Sequence, residues 1–139
     1  MSKKFEVKPT EFGMELSILG FIGPSEVAEM NKDIERIGSQ APDGFGVLVD
    51  MRANRAFSNE VAELMKEQIG LCVATGMNRA AVVLQSAIMT LQARRLVTET
   101  GMEQQIRFID ASSDDDWTAT ARDWIDRGVE PPARSTGAA

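Results

Sequence analysis

The sequence contains no histidine and no tyrosine, and a single cysteine. Without histidine there is no His-based triad, no imidazole general base and no imidazole metal ligand. Cys72 cannot close an internal disulfide, so an oxidising compartment is not required and a reducing cytoplasm is the expected location. No apolar run approaches the roughly 20 residues that span a bilayer. Met1-Ser2-Lys3-Lys4-Phe5-Glu6-Val7 lacks the apolar stretch of a signal peptide. The expectation is a soluble cytoplasmic protein with no direct membrane insertion. A glycine-rich phosphate loop is missing too. Gly44-Phe45-Gly46 is too short for a dinucleotide fingerprint and precedes a strand-like run instead of following one. The chain is therefore read as needing no cofactor and no metal, and as not an enzyme.

What is present is ordinary for one globular domain. Of 139 residues, 43% are hydrophobic and 26% charged. Residues 1–130 read as a single domain. Residues 131–139, opening on Pro131-Pro132 and otherwise small and polar, read as a disordered tail. The net charge of -6 argues against a nucleic-acid partner, because phosphate binding needs a cationic face.

Hydrophobic periodicity gives the elements. Phe5 to Lys8 and Met14 to Leu19 alternate apolar and polar around a turn containing Gly13, which predicts an antiparallel hairpin. Pro24 suits a helix start, and Val27, Met30, Ile34 and Ile37 form an apolar stripe at spacings of three and four. Phe45 to Val49 is a nearly continuous apolar run closed by Asp50, the pattern of a strand buried on both faces. Ser58 is a plausible N-cap for a helix with Val61, Leu64, Met65, Leu71 and Cys72 on one face and Gly76 at its end. Ala80 to Leu84 is the next buried run. Ser86 then caps a helix whose stripe is read as Ile88, Met89, Leu91, Ala93 and Leu96. Ile106 to Ile109 forms the last strand. Ser112 and Asp115 have capping-box spacing for a final helix anchored by Trp117, Ala121 and Trp124. The order ββαβαβαβα predicts an α/β domain with a mixed, mostly parallel sheet and an antiparallel edge.

This order resembles the STAS family, named for sulfate transporters and anti-sigma-factor antagonists, and more closely its bacterial SpoIIAA-like group. The stretches that carry the resemblance are Gly44 to Arg52, Gly76 to Val83, Gln92-Ala93-Arg94-Arg95-Leu96 and Ala121-Arg122-Asp123-Trp124-Ile125. It covers roughly residues 5 to 126. It implies a βα superhelix of the SpoIIAA-like (STAS) type, a fold type shared with CRAL-TRIO lipid-binding domains. It also implies a regulatory role through a protein partner or homodimer, with nucleotides or other small ligands bound by some members. In one respect the chain departs from the pattern. Anti-sigma-factor antagonists carry a phosphorylated serine in a short turn after the third strand. Here Asp50 to Asn59 is longer and lacks that turn, leaving only Ser58 near the helix start.

Ligands of open α/β sheets bind beyond the carboxyl ends of the strands. That rule selects Asp50, Arg52, Arg55, Ser58, Gln85 and Ser86 as candidate ligand-binding residues. Two arginines before a helix start suit an anion, whether phosphate, carboxylate or the head group of a lipid-like molecule. The bland reading is an Arg52–Asp50 pair on a solvated loop, two serine caps, and an inert core thiol at Cys72. Ser58 is also the candidate phosphorylation site.

Overall fold

The computed structural model describes residues 4–135. In the sheet the strand order is β1 (Phe5–Pro9), β2 (Gly13–Ile18), β3 (Gly46–Asp50), β4 (Arg79–Leu84) and β5 (Ile106–Asp110). The first pair is antiparallel and the other three are parallel. Spatial order equals chain order, so each parallel step is made by one crossover helix: α1 (Pro24–Gly38), α2 (Asn59–Thr75) and α3 (Ala87–Thr100). A last helix, α4 (Trp117–Arg127), follows β5.

Strand alternation sorts the side chains into two cores. On one face Met14, Leu16, Ile18, Val47 and Val82 pack against the buried stripes of α1, α2 and α3. On the other, Leu48, Ala81, Val83 and Ile109 pack against Ala121, Trp124 and Ile125 of α4. The two central strands are thus buried on both sides, which is why they read as unbroken apolar runs. The α1 stripe Val27, Met30, Ile34, Ile37 is buried as its spacing requires. No helix among the described residues is long and apolar enough to cross a membrane.

Three expectations change. In α3 the buried face is Met89, Ala93, Leu96 and Val97, whereas Ile88 and Leu91 are each 69% exposed. At about 100° per residue, Met89, Ala93, Leu96 and Val97 share one arc of the helix, and Ile88 and Leu91 fall outside it. The final helix does not begin with a Ser112–Asp115 capping box. Ser112 instead donates its backbone N–H and its hydroxyl to Asp110 Oδ1, at 2.9 and 2.5 Å. The organising carboxylate is Asp114, only 2% exposed, which accepts from the Asp116 N–H (2.9 Å) and from the hydroxyls of Thr120 (2.7 Å) and Ser135 (2.5 Å). That last bond also alters the tail. Residues 131–135 lie on the domain, Ala133–Ser135 forms a 3-10 turn, and Ser135 is fully buried. Residues 136–139 of the expected tail fall outside the described residues.

Cys72 sits on the buried face of α2, and burial pushes its thiol up from the ordinary 9.0 to about 12. Only the thiolate reacts rapidly with disulfide reagents. Native protein at pH 8 is therefore expected to resist an aromatic disulfide, and to react at once in denaturant. The neutral thiol is favoured by folding, so its contribution to stability is complete below pH 9 and is lost between pH 9 and about 12. Labelling in the native state at the denatured rate would place the thiol outside the core.

Candidate functional site

Because β2, β3, β4 and β5 run in one direction, their carboxyl ends meet at one end of the molecule. The segments Leu19–Phe21, Met51–Ser58 and Gln85–Ser86 leave the sheet there. Backbone pairing knits the first two together. The Gly20 N–H donates to the Ala53 carbonyl (2.8 Å), and the Arg55 N–H donates to the Gly20 carbonyl (2.9 Å). Asn54, 4% exposed, adds an amide bond to the same Gly20 carbonyl at 2.9 Å. Nothing in the sequence marked Asn54, because its partner lies 34 positions away.

The predicted residues divide by what they already do. Asp50 and Arg52 form a two-pronged pair: Arg52 Nε donates to Oδ1 at 2.9 Å and Nη2 to Oδ2 at 3.0 Å. The Arg52 backbone N–H also donates to Asp50 Oδ1, at 3.1 Å. Burial pushes the Asp50 carboxyl up, and the Arg52 side-chain bond, backbone bond and charge outweigh it, so the group sits below its ordinary value. The Arg52 guanidinium further stacks on the Trp117 ring, 4.4 Å from its centroid. Gln85 Nε2 reaches the Arg52 carbonyl at 3.2 Å. Ser58 and Ser86 are N-caps, their hydroxyl oxygens accepting from the N–H groups of Val61 (3.2 Å) and Met89 (3.3 Å). Arg55 is exposed, and its guanidinium makes no hydrogen bond or ion pair among the described residues.

The structure therefore brings Asp50, Arg52 and Gln85 together as a self-satisfied cluster. It leaves Arg55 open to solvent and gives both serines a capping role. Sequence reading missed the apolar surface beside them. Phe21 is 63% exposed, Ile88 and Leu91 each 69%, and Leu19 40%. Large apolar side chains scattered singly over a surface are ordinary, whereas Ile88 and Leu91 stand three residues apart on one helix and share a surface. Ile88 and Leu91 also border a groove of about 730 Å3 between α2 and α3. Phe57 and Leu96 line it as well, with Ser58 at one end and Lys66, Arg94 and Arg95 among its walls.

A five-stranded sheet in chain order, an antiparallel first strand, three helices on one face and one on the other define the architecture. The fold is SpoIIAA-like. A solved protein of the DUF3478 family with a SpoIIAA-like fold, from Shewanella loihica PV-4, is similar over 81% of this chain and 90% of its own, with TM-score 0.56 and 16% identity. The anti-sigma factor antagonist SpoIIAA in its unphosphorylated form is similar over 90% and 97%, with TM-score 0.59 and 11% identity. An anti-sigma factor antagonist from Mycobacterium paratuberculosis is similar over 83% and 91%, with TM-score 0.51 and 18% identity. At these identities the likeness is one of fold. The sequence matches no protein-family model and no curated protein sequence. The SpoIIAA-like architecture confirms the α/β class and the mostly parallel sheet read from the sequence.

Proposed function

We propose that this SpoIIAA-like domain is a non-catalytic regulatory module that docks a protein partner at the carboxyl end of its sheet. The observation that carries the reading is the exposure of Phe21, Ile88 and Leu91, three large apolar side chains on segments that leave or follow the strand ends. Burying such anchors against a partner recovers free energy that solvent exposure forgoes. Two of the similar solved structures are of anti-sigma factor antagonists, which supports a regulatory role. The groups that could do chemistry nearby are already engaged: Asp50 with Arg52, Ser58 and Ser86 as caps, and the Cys72 thiol in the core. Ser58 borders the surface, and a phosphoryl group there would place negative charge at a helix start, where the dipole favours it.

Ile88→Asp combined with Leu91→Asp tests the reading. Both side chains are mostly exposed, so the pair should alter stability by less than about 1 kcal/mol. The same change should abolish recovery of the partner in affinity capture followed by mass spectrometry. A second copy of the chain is the other candidate occupant, and sedimentation identifies it as a dimer that the double variant dissociates. If the variant recovers the same proteins and keeps the same oligomeric state as the parent, the docking surface lies elsewhere.

A further inference from the structure

β5 is the last strand of the sheet, so one of its edges has no neighbouring strand. The parallel β4–β5 register, with the Ala111 N–H on the Leu84 carbonyl at 2.7 Å, turns the backbone groups of Arg107 and Ile109 towards β4. Those of Ile106, Phe108 and Asp110 then point outwards. Two of these three are blunted by their own surroundings. The Ile106 N–H donates to the Glu103 carbonyl, and the Ile106 carbonyl accepts from Arg107 Nη1 at 3.0 Å. The Asp110 carbonyl accepts from the Ser113 N–H at 3.1 Å. Phe108 keeps an outward donor and an outward acceptor side by side. A bare edge of this kind is a template for another strand.

Residues 129–135 run beside that edge. Gly128 ends α4, and the chain then returns along β5. Glu130 grips Arg107 near the start of β5 with two bonds, of 2.7 and 2.8 Å. Ala133–Ser135 packs against β5, and Ser135 meets Asp114 beyond the strand's end. This strap covers the edge without extending the sheet, because Pro131 and Pro132 have no N–H to give to a ladder. Between its ends it is shallow: Val129, Glu130, Pro132 and Ala133 are exposed, and only Ser135 is fully buried. A segment with so little buried surface opens more readily than the strand it covers.

We propose that residues 129–135 are a releasable strap that keeps the β5 edge from pairing with the β5 edge of a second copy of this chain, with Ser135 on Asp114 as its latch. Phe108 itself selects a second copy as the occupant. Its one free donor and one free acceptor are the pair that two antiparallel copies of the same residue exchange across a two-fold axis. In that register Arg107 stands opposite Ile109 of the other copy, and Ile106 opposite Asp110, so no like charges are opposed. This contact is separate from the surface at Ile88 and Leu91.

Sedimentation of the full chain and its strap variants tests the guard. Ser135→Ala removes the latch bond and leaves every charge in place. Loss of a hydroxyl-to-carboxylate bond should shift the closed-to-open ratio of the strap by about tenfold. Both copies must open to pair, so self-association should strengthen by up to about a hundredfold over the parent. Glu130→Lys combined with Ser135→Glu sets like charges against Arg107 and Asp114 and should release the strap fully. Where that double variant folds poorly, Ser135→Ala decides alone. Amide hydrogen exchange then locates the contact. The Phe108 amide of the released protein should exchange about tenfold more slowly in concentrated than in dilute solution. The new dimer should also survive Ile88→Asp with Leu91→Asp. Variants that associate no more than the parent overturn the strap as a guard. A dimer whose Phe108 amide exchanges as fast as in dilute protein, or one that the Ile88 and Leu91 changes dissociate, overturns the β5 edge as its contact.

Discussion

Trp124→Ala is expected to lower the free energy of unfolding by about 3–5 kcal/mol, read by chemical denaturation. Trp124 is 5% exposed and sits in the small core between α4 and the sheet, with Leu48, Ala81, Val83 and Ile109. It is the largest side chain in that cluster, and α4 supplies every helical residue of it. Its indole N–H donates to the Ala80 carbonyl at 3.0 Å, so truncation also removes a buried hydrogen bond. The Arg107 guanidinium lies 4.1 Å from the ring centroid and is held there by Glu130. Loss of the ring removes that stacking partner as well. Trp124→Phe separates the contributions. It keeps most of the apolar volume and loses the indole bond, so it should cost about 1–3 kcal/mol. A Trp124→Ala variant within about 1 kcal/mol of the parent would mean that α4 does not seal this face.

The elements were legible because burial imposes a period on the chain. Strands buried on two faces show unbroken apolar runs, and α1 shows its stripe at three-and-four spacing. The Asp50–Arg52 pair was legible because its partners are two residues apart. What escaped depended on distance along the chain or on choosing between two faces of one helix. Ile88-Met89 with Leu91 offers two apolar faces, and sequence alone cannot say which one meets the sheet. The structure buries Met89 and leaves Ile88 and Leu91 in solvent, which turns a supposed core stripe into the candidate docking surface. Asp114 was one of three consecutive aspartates, and the hydroxyls of Thr120 and Ser135, 6 and 21 residues later, distinguish it from its neighbours. The arginine cluster expected at the strand ends is split. Arg52 is consumed by Asp50 and Trp117, and the cations with a groove beside them are on α2 and α3.

Gly13→Ala is expected to destabilise the domain by about 4 kcal/mol or more, beyond what most single substitutions cost. In the sequence Gly13 reads as a turn residue, yet its role is steric. It pairs with Gly46 at the start of the parallel β2–β3 ladder, with a φ of +150°. A Cβ there would lie 2.2 Å from the Gly46 carbonyl oxygen and 2.9 Å from the Gly46 nitrogen. Both are backbone atoms and cannot swing aside as a side chain would. Nor can β3 retreat easily. The Gly46 N–H is bound to the Phe12 carbonyl at 2.7 Å, and Gly46 itself lies so close to Ile125 that a Cβ on it would meet Ile125 Cγ2 at 2.2 Å. The two glycines let β2, β3 and α4 converge at one point, so a methyl group on either one must push a neighbouring element away. Gly44→Ala is the control. Gly44 has a φ of +79° and nothing within 4 Å of its would-be Cβ. It should lose only the backbone term, about 1–2 kcal/mol. Thermal melts of the two variants side by side isolate the steric contribution, and equal losses would show that the strands have room to spare at Gly46.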